Sequence, residues 1–184
     1  MDLRMIKTRR QIKEAFMRLR ERHMPERIKV KDICQEAMIN KTTFYNHYTD
    51  SIELSNEIDD HAIDNVMVDF SEYGLLLEDP KAYVDGLLRA LDRESENLQK
   101  VFWGKQEVLC AKLEERLYRM CESEQDDLET RIRLSFSIGG FVRVVKDYLF
   151  VEQPYNVDQL AAYTTDLVEL LVKQRKGTAP KPVS

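Results

Sequence analysis

The chain has 184 residues, of which 43% are hydrophobic and 33% charged, with only six glycines and five prolines. This composition is typical of a folded helical protein and argues against a disordered chain. Aliphatic runs such as residues 75–77 are too short to span a membrane, and the N-terminus lacks the apolar core of a secretory signal, so the sequence indicates a cytoplasmic protein.

Charge is distributed unevenly along the chain. Residues 1–50 carry twelve Lys and Arg against seven Asp and Glu, whereas the remaining residues carry 16 basic and 26 acidic side chains. A basic N-terminal segment on an acidic body suggests that only the first segment meets a polyanion such as nucleic acid. Helices with solvated basic faces give the same charge pattern. The local sequence motif is therefore needed to distinguish nucleic-acid binding from plain solvated faces.

The cysteines and histidines form no metal-binding pattern. The chain has three cysteines, which is an odd number, and their spacing is not that of metal ligands. The three histidines lie in unlike segments. We therefore predict reduced, packing cysteines, no metal site and no cofactor. The residues concerned are Cys34, Cys110, Cys121, His23, His47 and His61.

Three helices are predicted within the basic segment. Apolar residues recur at spacings of three, four and seven over residues 4–22, which predicts a first helix that Pro25 ends. A short second helix follows over residues 30–37. A third begins at Lys41, and only three residues, MIN, separate it from the second.

The third helix has a well-defined predicted start. Asn40 is a good N-cap, and Ile39 before it can pack on Phe44 as a hydrophobic staple. Phe44 and Tyr48, four residues apart, then face inward. The outward face therefore carries Lys41, Thr42 and Tyr45, with Asn46 and His47 on its flanks.

Two short helices joined by a three-residue turn, with a small polar face on the second, form a helix-turn-helix. Asp50 and Glu53 add a capping-box pattern that starts a longer fourth helix. The DNA-binding version needs a slim second helix whose outward groups reach phosphates and base edges. The outward side chains that can do so are Lys41, Thr42, Tyr45, Asn46 and His47. A helical hairpin with a polar face is the alternative.

Four stretches match a known family in order: TRRQIKEAFMRL, IKVKDICQEA, INKTTFYNHYTD and SIEL. On these stretches, the segment from Thr8 to Leu54 resembles the N-terminal DNA-binding domain of the TetR family of bacterial transcription regulators. The resemblance implies a sequence-specific regulator with double-stranded DNA as its partner. DNA contacts are expected from Lys29, Lys31, Lys41, Thr42, Thr43, Tyr45, Asn46, His47, Tyr48 and Ser51.

Three positions depart from the family pattern. Met38 stands where the family usually has a turn glycine, and a positive φ there would cost about 1 kcal/mol. We expect a slightly altered turn rather than a lost one. Lys29 replaces a capping Thr but could reach a phosphate as a point charge, and Ser51 replaces a Lys at the start of the fourth helix.

The acidic remainder of the chain is predicted to be helical as well. Gly104 and the stretch from Asn156 to Asp158 mark breaks, with Pro154 reinforcing the second. The predicted helices cover about residues 80–93, 95–103, 105–124, 127–151 and 156–175. The composition of residues 177–184 is that of a flexible tail.

The last two helices carry the clearest apolar pattern. Gly139 and Gly140 lie mid-helix, where each glycine costs about 1 kcal/mol against alanine, which suggests close approach of another backbone. Proteins resembling this family pair such helices from two subunits into a four-helix bundle; packing within one chain only is the alternative. Dimerisation is expected to involve Phe136, Gly139, Gly140, Tyr148, Tyr163, Leu167 and Leu170.

By the same resemblance, the central helices would enclose a pocket for a small-molecule effector. An aromatic stripe at helical spacing also fits a plain core, so both interpretations stay open, and the chemistry of an effector cannot be inferred. The candidate pocket residues are Tyr73, Tyr83, Leu87, Phe102, Trp103, Leu109, Cys110 and Leu113.

Together these features predict an all-α protein with a helix-turn-helix DNA-binding domain at residues 1–50 and a helical ligand-binding and dimerisation domain at residues 51–176. The predicted function is a homodimeric repressor of a palindromic operator, released by an effector. The alternative is a regulator without a small ligand, controlled by a protein partner or acting as an activator; a filled core in the body would favour it. No catalytic motif appears, so we do not expect an enzyme.

Overall fold

A computed structural model describes residues 3–68, 79–121, 126–152 and 155–173. Within these ranges the chain forms nine α-helices and a short 3-10 turn without a β-strand, which confirms the all-α prediction. The predicted tail, residues 177–184, lies outside the described residues. In chain order the elements are α1 (Leu3–Arg20), the 3-10 turn (Pro25–Arg27), α2 (Val30–Glu36), α3 (Lys41–Tyr45), α4 (Ser51–Val68), α5 (Pro80–Arg93), α6 (Ser95–Phe102), α7 (Gln106–Cys121), α8 (Leu128–Phe150) and α9 (Val157–Lys173).

Short polar side chains fix where several helices begin. The Asp79 carboxylate accepts a hydrogen bond from the backbone N–H of Ala82 at 3.1 Å, and Pro80 occupies the first turn of α5. Asp127 accepts from the backbone N–H of Thr130 at 2.8 Å at the start of α8. These caps satisfy N–H groups that have no partner inside their helix, and they explain why the predicted helix starts agree closely with the structure.

The chain divides into two compact units. The first unit consists of Met1–Ala62 together with Asn97–Lys105, and the second of Ile63–Glu96 together with Gln106–Ser184. The domain boundary that the sequence predicts after residue 50 therefore falls inside the first unit. The division into a DNA-binding and a regulatory domain at that residue stays a prediction.

In the first unit, side chains tie α6 and the turn after it to α1 and α4. Buried Arg20 donates from Nη2 to the backbone carbonyls of Val101 at 3.0 Å and Trp103 at 2.7 Å. Lys105 pairs with the buried carboxylate of Asp59. A segment from the middle of the chain is thus built into the unit that also contains α2 and α3.

In the second unit, α5 packs against α9, α7 packs against α8, and α8 packs against α9. Leucines and other aliphatic residues of these helices form the core, for example Leu87, Leu113 and Leu117, all of which are buried. In the parts of the chain that the structure describes, no helix combines the length and apolar character needed to cross a membrane.

Candidate nucleic-acid interface

The turn between α2 and α3 keeps its shape despite the missing glycine. Met38 adopts a left-handed conformation with φ of 51°. Its backbone N–H bonds to the carbonyl of Gln35 at 3.2 Å, and that of Ile39 bonds to the carbonyl of Cys34 at 3.0 Å. This is the paired hydrogen-bond pattern that usually ends a helix at a glycine. A methionine at a glycine conformation therefore leaves local strain but an intact turn.

The start and the inward face of α3 agree with the prediction. Asn40 Oδ1 accepts a hydrogen bond from the backbone N–H of Thr43 at 2.7 Å. Phe44 is 0% exposed and Tyr48 is 2% exposed, with ring centroids 5.8 Å apart. Tyr45 is 55% exposed, and its ring meets the ring of Phe44 edge-on at 5.6 Å. The buried aromatics therefore orient α3, and Tyr45 points outward.

Most side chains that were predicted to contact DNA are accessible. Lys29, Lys31, Lys41, Thr42, Tyr45 and Asn46 are exposed, whereas Thr43, His47 and Ser51 are half-buried. Tyr48 is the exception because it is buried, and its contact with DNA stays a prediction. With 2% of its surface exposed, its ring belongs to the support behind α3. The exposed set forms the candidate interface.

The helices flanking this surface begin with carboxylate caps. Asp32 accepts from the backbone N–H of Lys29 at 3.3 Å, which is the bond that the third helical residue contributes to a capping box, whereas the Lys29 ammonium cannot replace the threonine oxygen as an acceptor. Asp50 accepts from the backbone N–H of Glu53 at 2.8 Å at the start of α4. Glu53 in turn accepts from the backbone N–H and the hydroxyl of Thr49, and these bonds lower its pKa. The reciprocal bond of the predicted capping box thus goes to the residue before the cap.

A network of polar contacts holds the aromatic support from behind. Arg9 Nε donates to the Tyr48 hydroxyl at 3.2 Å, and Arg9 Nη2 lies 2.6 Å from Glu57 Oε2. Lys13 Nζ lies 2.6 Å from the other Glu57 oxygen. Burial raises the pKa of Tyr48 to about 12. Burial also acts to raise the pKa of Glu57, but hydrogen bonds from Arg9 and Lys13 outweigh it, so the pKa is lowered.

Sequence reasoning missed this network. Arg9 and Glu57 are 48 residues apart in sequence, and Arg9 and Tyr48 are 39 residues apart. Helical periodicity places each residue on a face of its own helix, but it does not identify a partner on another helix. No local signal pointed to Arg9 or Glu57.

Described residues of the second unit line a small cavity of about 20 Å³. Of the candidate pocket residues, Tyr83 and Leu87 line it, and Ser137 contributes a buried hydroxyl that has no hydrogen-bond partner among the described residues. Such a volume holds about one water molecule. The full lining is Tyr83, Val84, Leu87, Leu117, Ser137, Ile138, Phe141 and Val168.

The other predicted pocket residues do not line this cavity. Phe102 and Trp103 belong to the first unit, because Arg20 and Lys105 hold that segment against α1 and α4. Leu109 and Leu113 are buried and Cys110 is half-buried; none of these three is part of the lining, which α7 supplies through Leu117. Tyr73 lies outside the described residues.

Most predicted dimer contacts on α8 and α9 are exposed. Phe136, Tyr163 and Leu167 are 72%, 75% and 62% exposed. A Cβ added at Gly139 or Gly140 would meet nothing within 4 Å among the described residues, so no close backbone approach within the chain accounts for these glycines.

Two predicted dimer residues differ from this group. The Tyr148 hydroxyl donates to Asp92 within the same unit at 2.5 Å, and the Tyr148 pKa is raised to about 12, chiefly by burial. Leu170 lies in α9, but its side chain is outside the described set. As for metals, the described residues contain no group of three His, Cys, Asp or Glu placed to hold an ion.

Comparison with known proteins adds a likeness in fold. No family model matches the chain, and no curated protein matches it. The solved structure of "Dihydroxyacetone kinase operon activator DhaS" superposes with a TM-score of 0.56 at 20% identity, covering 92% of this chain and 98% of that chain. The fatty acid degradation regulator FadR from Bacillus halodurans gives a TM-score of 0.48 at 17% identity, covering 87% of this chain and 93% of that one.

Proposed function

We propose that this chain is a sequence-specific DNA-binding transcription regulator of the TetR type, with α3 entering the major groove. The observation that carries the proposal is the division of α3 into two faces. Buried Phe44, with Tyr48 beyond the helix end, fixes its orientation, while Lys41, Thr42 and Tyr45 project outward. A slim helix with such a face suits the groove of B-form DNA.

The proposed contacts differ in what they recognise. Lys29, Lys31 and Lys41 supply charge for phosphates, which gives affinity but no sequence information. Thr42 and Tyr45 offer hydroxyl and apolar groups for base edges and thymine methyls. Ser51 at the start of α4 offers its hydroxyl to a phosphate, since Asp50 already accepts from the backbone N–H groups of Ile52 and Glu53.

We further propose that two chains pair through α8 and α9. Phe136, Tyr163 and Leu167 would place three large apolar side chains in water in a monomer, and Gly139 and Gly140 leave room for another helix close to α8. A twofold dimer would present two copies of α3, and it would read a palindromic site with half-sites about one DNA turn apart.

The small cavity favours the alternative mode of regulation, in which no small-molecule effector binds in the core of the second unit. A space of about 20 Å³, lined by described residues of the second unit, cannot take an effector larger than about one water without opening. This favours a regulator that responds to a protein partner or acts as an activator over a repressor released by a small effector in that core. The similar structure is likewise named as an operon activator.

Selection of binding sites from random double-stranded DNA tests the proposal. The full-length chain should enrich a palindromic motif, and binding to it should weaken with salt with a log-log slope near -0.9 per phosphate neutralised. An unenriched pool would contradict sequence-specific binding. An enriched motif with a flat salt response would contradict the phosphate contacts assigned to the lysines.

A further inference from the structure

A cleft of about 700 Å³ lies within the first unit, between α1, α4 and α6. It shares no lining residue with the cavity in the second unit. Its volume is in the range of sites that enclose small molecules, roughly 300–1,000 Å³. The apolar part of its lining consists of Ile6, Met17, Ile58, Ala62 and Val101.

One wall of this cleft carries an excess of positive charge. Arg9, Arg10 and Lys13 line it from α1. Arg9 and Lys13 share a single carboxylate, Glu57, with both contacts at 2.6 Å. Arg10 pairs with Glu14 at 3.5 Å, but both side chains are more than half exposed, and such surface pairs contribute little. Three cations on this wall therefore face two carboxylates.

We propose that this cleft binds an amphipathic monoanion of the acyl-carboxylate class. The acyl chain would lie along the apolar lining, where Ile6 and Met17 are eleven residues apart on α1, or roughly 16 Å at about 1.5 Å per residue. The carboxylate would meet the basic wall, because a guanidinium fork such as that of Arg9 matches a carboxylate in geometry and charge. His61 and Asn97 add polar groups at the lining.

Arg9 connects this cleft to the candidate DNA interface. The same guanidinium that lines the cleft donates to the Tyr48 hydroxyl behind α3. An anion at Arg9 would compete with Tyr48 and Glu57 for its N–H groups and so act on the support of α3. This regulatory consequence rests on the proposed function, whereas ligand binding itself does not depend on it.

Calorimetric titration of the full-length chain, without DNA, tests the site. The probe is dodecanoate below its micelle concentration, and dodecyltrimethylammonium has the same chain length with the opposite charge. Ile6→Glu puts a carboxylate in the lining at a side chain that is 46% exposed, so the fold should tolerate it. Met5→Glu is the matched control, since Met5 is 48% exposed on the same helix and does not line the cleft.

We expect dodecanoate to bind wild type and Met5→Glu with similar affinity, and Ile6→Glu at least tenfold more weakly. Dodecyltrimethylammonium should bind wild type at least tenfold more weakly than dodecanoate. Equal dodecanoate affinity for the two glutamate variants would place binding elsewhere and overturn the proposal. Equal affinity of wild type for the two probes would overturn it as well. No binding of dodecanoate would also overturn it and would favour a protein segment as the occupant of the cleft. Because the titration contains no DNA, its failure leaves the proposed function untouched.

Discussion

The guanidinium of Arg9 lies over the ring of Tyr48, 5.4 Å from its centroid, while its Nε donates to the hydroxyl of the same residue at 3.2 Å. Arg9 belongs to α1 and Tyr48 follows α3. This pair therefore connects α3, the candidate recognition helix, to α1. Glu57 on α4 completes the contact by pairing with Arg9. Three helices therefore meet behind a surface that faces outward.

Replacing Tyr48 by Phe should remove the hydroxyl from this contact while keeping the ring in place. We expect a loss of about 1 kcal/mol in the free energy of unfolding at neutral pH, the usual value of one hydrogen bond. Guanidinium denaturation of both proteins would measure it.

The same substitution also predicts a change in pH dependence. Folding raises the Tyr48 pKa from 10 to about 12, so its contribution is complete below pH 10 and is lost as pH rises through 12. The stability difference between wild type and Tyr48→Phe should therefore narrow over that interval. A difference that stays constant from pH 9 to 12 would show that the phenol is not held as described.

Glu57→Gln should weaken the ion pairs of Glu57 with Arg9 and Lys13, because it removes the carboxylate. A neutral amide cannot balance both Arg9 and Lys13, and we expect a cost of about 1–2 kcal/mol at pH 7. Folding lowers the Glu57 pKa from 4.5, so this stabilisation is present above pH 4.5 and is lost as pH falls through the lower folded value. Urea denaturation at pH 7 and pH 3 should show a large and then a small difference from wild type. Equal differences at both pH values would contradict the assignment.

Met38→Gly should stabilise the protein. Met38 has a φ of 51° and is 87% exposed, so glycine relieves backbone strain and sacrifices little buried surface. The expected gain is about 1 kcal/mol, measured from thermal or denaturant midpoints. Met24→Gly is the control, because Met24 has a φ of −64° and gains nothing from glycine. If both variants lose stability, the strain at Met38 is not what the geometry indicates.

Phe136→Glu tests the proposed pairing of two chains. Phe136 is 72% exposed on α8, so the charge should leave the fold of one chain intact and abolish association. Sedimentation equilibrium should show a dimer for wild type and a monomer for the variant. Ile52→Glu serves as control, since Ile52 is 68% exposed on α4, which belongs to the first unit, and this variant should remain dimeric. A wild-type monomer would rule out the pairing.

The sequence was most informative where the cause of a structure lies within a few residues. The Asn40 cap, the inward Phe44 and the outward Tyr45 could all be predicted because they are encoded inside one short segment. The attachment of α6 to the first unit could not, because Arg20 and Val101 are 81 residues apart. Most of the cavity lining was missed for the same reason: local periodicity indicates that Ile138 faces a core, but it does not show which helices share that core with it.

The central claim is that α3 reads DNA, and Tyr45→Ala tests it most directly. Tyr45 is 55% exposed and is not part of the buried support, so the variant should melt and associate like wild type. Fluorescence anisotropy with the selected palindrome should show at least a tenfold loss of affinity, or about 1.4 kcal/mol, while weak binding to unrelated DNA persists. Unchanged affinity and unchanged sequence preference in a folded Tyr45→Ala dimer would contradict the proposal that α3 reads DNA.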